Sequence, residues 1–252
     1  MHKSSPHACK PNEILRFEFP ELPETLATLV TGDYQPACLT AQLPENYSLN
    51  QEFPLFVFLT PYGRGEHEPF SREVIGPNDF ICVHLPTFKV DYDASEPWRG
   101  ILMTMSDYSL MSRVCRIMLN KLFQVIPNVE TERSALGGFS NGGYATAILL
   151  AGHDEFILQH FRSYFFLEGN APLAANVLHK PIMKQNRYLV MRGDQLEGDP
   201  IADLRSHIDR ALEYEAQAHQ LDFEFIIMEG AAHEVPDNYA MKVGKWVRGE
   251  AI

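Results

Sequence analysis

Runs of apolar residues recur along this chain, and the longest of them contain almost no polar residue. Residues 53–60 and 80–85 are nearly continuous in this way, which is typical of strands buried on both faces of a sheet. Residues 37–43 alternate between apolar and polar positions, which also predicts a strand. Further strands are predicted at 164–167, 188–191 and 223–228, and in the apolar run that ends at residue 139.

Helical spacing of apolar residues appears between these runs. The spacing predicts a helix over residues 106–126. A second helix is predicted to start at Asp199 and Pro200 and to run to about residue 218, because aspartate at the cap followed by proline is a strong start signal. A last helix is predicted over residues 238–247. The apolar residues of the first helix are Leu110, Val114, Ile117, Met118, Leu122 and Val125.

Strands that alternate with helices predict an α/β fold, with a mostly parallel central sheet and helices on both faces. The 252 residues contain no repeat, low-complexity tract or linker, so one domain spanning residues 1–252 is predicted, with residues 1–12 as a loose tail. Residues 14–31 show no firm period. Residues 87–104 are expected to cross the surface as an irregular segment.

Composition narrows the range of partners. The formal net charge is −12, and an acidic surface repels nucleic acid and anionic membranes, so neither is expected as a partner. No apolar stretch has membrane-spanning length and the N-terminus has no signal-peptide core, so a cytoplasmic protein is expected. The four cysteines and ten histidines are scattered, so neither a metal nor a cofactor is expected. Cys82 and Cys115 lie in apolar runs and are predicted to be buried thiols.

The clearest chemical signal is a Gly-x-Ser-x-Gly motif at residues 138–142. An apolar run precedes the motif and an Ala/Leu-rich helical segment follows it. In this strand–turn–helix context the motif predicts a nucleophile elbow, with Ser140 at its apex. Gly138 and Gly142 would allow the strand and the helix to approach each other without Cβ clashes.

A serine hydroxyl needs a base to take its proton. His233 follows the last apolar run directly and is the predicted base, since the order serine, acid, histidine is the one found in folds with this elbow. The acid that orients the imidazole is expected in the loop after residues 188–191. Three carboxylates in that loop remain open: Asp199, which could instead cap a helix, Asp194, which could be a turn residue, and Glu197.

The oxyanion that forms during acyl transfer needs backbone N–H donors held in place beforehand. The residue after the nucleophile, Asn141, is the first predicted donor. The second is expected in the loop after residues 53–60, from Tyr62 or Gly63.

With these residues in place, the chain resembles the α/β-hydrolase superfamily, and more narrowly the serine esterases related to siderophore esterases, feruloyl esterases and polyhydroxyalkanoate depolymerases. The resemblance implies an α/β-hydrolase fold, a nucleophile at Ser140, a general base at His233 and hydrolysis through an acyl-enzyme. Two features depart from the family pattern: Thr60 and Pro61 stand where relatives usually carry His-Gly, and the acid loop is longer than the usual Gly-x-x-Asp. The matching segments are residues 43–47, 53–59, 138–143 and 230–234.

These features predict a serine esterase that acts on a small-molecule carboxylic ester. The same residues would also serve an amidase or an acyltransferase. A hydrolase-fold binding protein without turnover is a third possibility, because one fold can host many functions.

Overall fold

The structure is a computed structural model, and it describes residues 9–20, 22, 26–28, 37–61, 70–90, 101–169, 171–195 and 202–252. The strands are β1 (Ile14–Glu18), β2 (Leu26–Thr28), β3 (Cys38–Gln42), β4 (Phe53–Leu59), β5 (Ile81–Leu85), β6 (Phe88–Val90), β7 (Val129–Phe139), β8 (Ser163–Leu167), β9 (Arg187–Gly193) and β10 (Asp222–Met228). The helices are α1 (Phe70–Ile75), α2 (Tyr108–Val125), α3 (Asn141–Ala151), α4 (Glu155–His160), α5 (Ala202–Ala218) and α6 (Asp237–Val247).

Within the described residues, the main sheet has the strand order β1-β3-β5-β4-β7-β8-β9-β10. All neighbours from β5 to β10 are parallel, whereas β1 and β3 join the edge in antiparallel orientation. The carboxyl ends of the parallel strands therefore lie at one edge of the sheet. This arrangement confirms the predicted α/β class with a mostly parallel sheet.

Strand β4 shows why its sequence lacks alternation. All seven of its residues are buried. Successive side chains point to opposite faces, so Leu55 and Val57 join one core cluster while Phe56 and Phe58 join another. Helices α2 and α3 cover the first face, and α1 and α6 cover the second. The helix residues buried against the first face include Val114, Met118, Ile148 and Leu149, and those against the second include Val74, Val243 and Trp246.

Residues 14–31 and 87–104 contain strands that the hydrophobic pattern does not predict. Strand β1 pairs with β3 at the sheet edge and buries only Phe17, and β2 pairs with β6 in a separate ribbon. In β1, the single buried position leaves little periodicity to detect. The expectation of an irregular segment is therefore wrong for β6, while residues 91–100 lie outside the described part. The six-residue helices α1 and α4 are too short to show a helical period.

Residues 9–12 are packed against the fold rather than forming a loose tail. The Cys9 thiol faces the Val125 carbonyl at 3.9 Å. The Asn12 side chain accepts a hydrogen bond from Gln42 at 3.2 Å, and its backbone N–H donates to Pro44 at 3.1 Å. The predicted tail is therefore wrong for residues 9–12, and residues 1–8 lie outside the described part.

The thiols of Cys82 and Cys115 are buried, as predicted. Burial raises the pKa of each to about 12, so both stay protonated at neutral pH. In the part of the chain that the structure describes, no three histidine, cysteine or carboxylate side chains converge as metal ligands. Among the same residues, no helix is both long and apolar enough to cross a bilayer.

Candidate active site

Ser140 occupies the sharp turn between β7 and α3. Its backbone has φ 53° and ψ −116°, a left-handed conformation that is costly for any residue with a Cβ. The turn is held because the Ser140 N–H donates to the Leu167 carbonyl at 2.8 Å. A Cβ on Gly142 would overlap the Leu59 carbonyl oxygen, so only glycine allows α3 to sit this close to β4. The residues of the predicted elbow thus have elbow geometry.

The strain at Ser140 gives a stability prediction. The mirror-image region around φ 53°, ψ −116° is open to glycine but not to alanine. We expect Ser140→Gly to exceed Ser140→Ala in free energy of unfolding by about 1–2 kcal/mol, because relief of strain outweighs the extra chain entropy of glycine. Both variants lack the hydroxyl, so each controls for its loss. Denaturant unfolding measures the difference, and equal stability of the two variants would contradict a strained turn.

His233 lies in the loop between β10 and α6, at the carboxyl edge of the sheet. Its Nε2 is 2.9 Å from the Ser140 Oγ, across 93 residues of sequence. The Phe139 ring packs against the imidazole with the ring centres 4.8 Å apart. The structure therefore brings together the predicted nucleophile and the predicted base at hydrogen-bond distance.

The carboxylate beside the imidazole is Glu168, directly after β8. It is buried, and its Oε2 lies 3.6 Å from the His233 Nδ1, a distance suited to an ion pair but just outside a hydrogen bond. Its Oε1 accepts a hydrogen bond from the Gly193 N–H. Glu168 has φ 51°, so the chain turns sharply as it leaves the strand.

The predicted acid loop does not supply this carboxylate among the described residues. Asp194 accepts a hydrogen bond from the Gly230 N–H at 2.7 Å, so it braces the start of the histidine loop, where the sequence predicted contact with the ring. Asp199 and Glu197 lie outside the described residues. Sequence reasoning placed the acid in the loop after β9 and did not consider Glu168, which follows β8. The available signal was a carboxylate immediately after the aromatic run that follows the elbow helix.

Behind Glu168 lies a buried guanidinium. Arg192 on β9 places Nη1 3.5 Å from the Glu168 Oε2 and Nε 2.8 Å from the Asp209 Oδ2 on α5. Its Nη2 donates to the Gly169 carbonyl. Burial lowers the pKa of Arg192, but the charges and hydrogen bonds of Asp209 and Glu168 outweigh burial, so its pKa is raised. The guanidinium is therefore a permanent cation next to the site.

One predicted oxyanion donor can be placed. Asn141 is the first residue of α3 and is buried beside Ser140. The first N–H groups of a helix have no partner within it, so the Asn141 N–H is of the type that can meet an oxyanion. Tyr62 and Gly63 lie outside the described residues.

A pocket of about 230 Å³ opens beside the imidazole. Its walls are mainly aromatic, and the rings of Phe58 and Phe70 lie 5.0 Å apart. This volume is below the usual range of about 300–1,000 Å³ for ligand pockets, so the space suits a compact group. The described lining residues are Phe58, Pro61, Phe70, Phe139, His233, Glu234 and Val235.

The sequence matches no protein-family model and no curated protein sequence. Solved structures do resemble it. An esterase from Pyrobaculum calidifontis superposes with a TM-score of 0.60 at 9% identity, over 95% of this chain and 85% of the other. A feruloyl esterase module from Clostridium thermocellum, complexed with sinapinate, superposes with a TM-score of 0.56 at 15% identity. The match covers 93% of this chain and 86% of the module.

A longer protein shares the same core. Dipeptidyl peptidase 4 from Porphyromonas gingivalis has a TM-score of 0.60 at 12% identity, over 91% of this chain, which spans only 36% of the peptidase. At such low identity these likenesses bear on fold rather than on activity. Together with the strand order, they show that this chain has the α/β-hydrolase fold.

Proposed function

We propose that this protein is a serine hydrolase that cleaves a carboxylic ester through an acyl-enzyme. Ser140 is the nucleophile, His233 the general base and Glu168 the acid that orients it. The observation that carries the proposal is the 2.9 Å approach of the His233 Nε2 to the Ser140 Oγ at a strained strand–helix turn. A base within hydrogen-bond reach is what a serine hydroxyl needs to become nucleophilic.

The reaction follows from this geometry in two halves. The Ser140 oxygen attacks the ester carbonyl carbon while His233 takes the hydroxyl proton, and the Asn141 N–H stabilises the oxyanion. The imidazolium then gives that proton to the departing alkoxide, which leaves as an alcohol. Water next attacks the acyl-enzyme, losing a proton to His233, and the imidazolium returns the proton to the Ser140 oxygen as the carboxylic acid is released.

Glu168 contributes by charge and by position. Its buried carboxylate faces the Nδ1 side of the imidazole, where a negative charge stabilises the imidazolium that forms in each half-reaction. A separation of 3.6 Å is within ion-pair distance, so the carboxylate can act on the imidazole by its charge.

Two observations support an ester with a compact apolar group. The pocket beside His233 is small and aromatic. The two esterase structures named above are matched over 85% and 86% of their own length, whereas this chain spans only 36% of the peptidase. An amidase with the same triad is the competing activity, and the test below separates the two.

Paired substrates provide the test of reaction type. We expect p-nitrophenyl acetate and butyrate to be hydrolysed well and octanoate poorly, because the pocket limits acyl length. The p-nitroanilide of the preferred acyl group is expected to react at least about 100-fold more slowly in kcat/KM, about 2.7 kcal/mol in transition-state free energy. Comparable anilide turnover would identify an amidase, and no Ser140-dependent turnover of either series would contradict a hydrolase.

A further inference from the structure

Building on the proposed triad, we infer that Arg192 and Asp209 act as a positioning pair for Glu168. They fix the carboxylate against His233 and set the net charge that the imidazole meets. Neither side chain touches the imidazole in the contacts of the described residues, so both act through Glu168.

The geometry makes one oxygen the centre of the arrangement. The Glu168 Oε2 lies 3.6 Å from the His233 Nδ1 and 3.5 Å from the Arg192 Nη1, so it stands between an imidazole and a guanidinium. The other oxygen is held by the Gly193 N–H. The carboxylate therefore has partners on both oxygens and little freedom to rotate.

Charge explains why Asp209 belongs to the arrangement. Arg192 alone would neutralise Glu168 and leave no net charge facing the imidazolium. Asp209, 2.8 Å from the Arg192 Nε, restores one net negative charge to the buried group of three. All three side chains are almost fully buried, at 1% to 6% exposure, where charges are weakly screened.

Stability offers a poor reason for these three ions. A buried ion group usually gains little over apolar residues of similar size, because desolvation cancels most of the attraction. Here the group lies directly behind the proposed acid, and the Arg192 Nη2 also donates to the Gly169 carbonyl, next to Glu168 in the chain. A role in positioning Glu168 explains why the protein buries three ions despite the free energy that their desolvation costs.

Other groups near His233 also influence its imidazole, and they are the same in every variant compared. Glu234 is its neighbour in the chain, and Asp194 holds the loop through the Gly230 N–H. The Ser140 hydroxyl and the apolar Phe139 ring also lie against the imidazole. None of these is altered in the variants below.

The test measures the pH dependence of kcat/KM for p-nitrophenyl acetate. Asp209→Asn removes one negative charge, so the imidazolium is less stabilised. The acidic limb of the profile, where activity falls as pH decreases, should therefore move to lower pH by about 0.5–1 pH units. We also expect kcat to be about tenfold lower. Arg192→Gln removes the cation and should move the limb to higher pH. The double variant restores the wild-type net charge, so its limb should return while kcat stays low, because Glu168 is no longer held.

Asp222→Asn is the matched control. Asp222 pairs with Arg187 at 2.9 Å at the opposite end of β9, so its loss removes an Arg–Asp pair far from the triad. The inference would be overturned if the acidic limb of Asp209→Asn coincided with that of Asp222→Asn. It would also be overturned if the limbs of Asp209→Asn and Arg192→Gln shifted in the same direction. If Arg192→Gln fails to fold by circular dichroism, the comparison of Asp209→Asn with Asp222→Asn still decides it.

The outcomes also separate this inference from the proposed function. A wild-type enzyme with Ser140-dependent turnover and an unshifted Asp209→Asn profile contradicts only the positioning pair. A wild-type protein without such turnover contradicts the hydrolase itself, and the positioning role with it.

Discussion

Replacing Ser140 with alanine is expected to lower kcat for p-nitrophenyl acetate by about 10⁴- to 10⁶-fold, the scale on which loss of a serine nucleophile acts. Alanine has no hydroxyl oxygen to attack the ester. It also offers no proton to the His233 Nε2, which lies 2.9 Å from the Ser140 Oγ. KM should change little, because the pocket residues remain in place. Steady-state kinetics on purified protein measures both values.

The control for this substitution is structural integrity. Ser140→Ala leaves the backbone turn and the Ser140 N–H contact to Leu167 intact, so circular dichroism and unfolding should match the wild type closely. Residual activity within tenfold of wild type in a folded Ser140→Ala variant would place the nucleophile elsewhere.

Replacing Glu168 with glutamine should lower kcat by about 10³- to 10⁴-fold, as loss of the charged partner does in serine triads. Glutamine keeps the size of the side chain but carries no negative charge, so the imidazolium loses its support. Asp194→Asn should stay within about threefold of wild type, because that side chain contacts a backbone N–H rather than the ring. The same ester assay, run on both variants, compares the two carboxylates directly.

The comparison discriminates between the sequence prediction and the geometry. A severe loss in Asp194→Asn with a mild one in Glu168→Gln would return the acid to the loop after β9. Asp199→Asn belongs in the same series, since Asp199 is one of the three carboxylates that the sequence left open and it lies outside the described part of the structure.

The approach of His233 to the turn at Ser140 was predictable, because the turn has a local signal and the sheet topology places the histidine beside it. Glycines at residues 138 and 142 mark a turn that crowds β4, and the structure shows that a Cβ at Gly142 would overlap the Leu59 carbonyl oxygen. His233 follows a strand at the end of the chain, and parallel strands bring their carboxyl ends to one edge. The glycine pattern around Ser140 and this rule of parallel sheets were together sufficient to predict that Ser140 and His233, 93 positions apart, lie close together.

Glu168 was not predictable in the same way. Its proposed role depends on a positive φ, which turns the chain at the end of β8, and on the buried cation of Arg192 behind it. Neither feature leaves a pattern in hydrophobicity or spacing. The loop after β9 offered three carboxylates where the family pattern places the acid, so motif reasoning favoured it.

Edge elements were missed for a different reason. Strand β1 buries one residue of five, so no alternation identifies it, whereas β4 buries all seven and is evident from composition alone. Predictability therefore followed burial: the central strands and long helices that support the site were evident, and the short peripheral elements were not.

Covalent labelling tests the central claim most directly. A fluorophosphonate should add one mass increment to the native protein, map to the peptide containing Ser140, and be lost in Ser140→Ala and strongly slowed in His233→Ala. Labelling at another residue, or no labelling of folded wild-type protein, would contradict an activated serine at this turn.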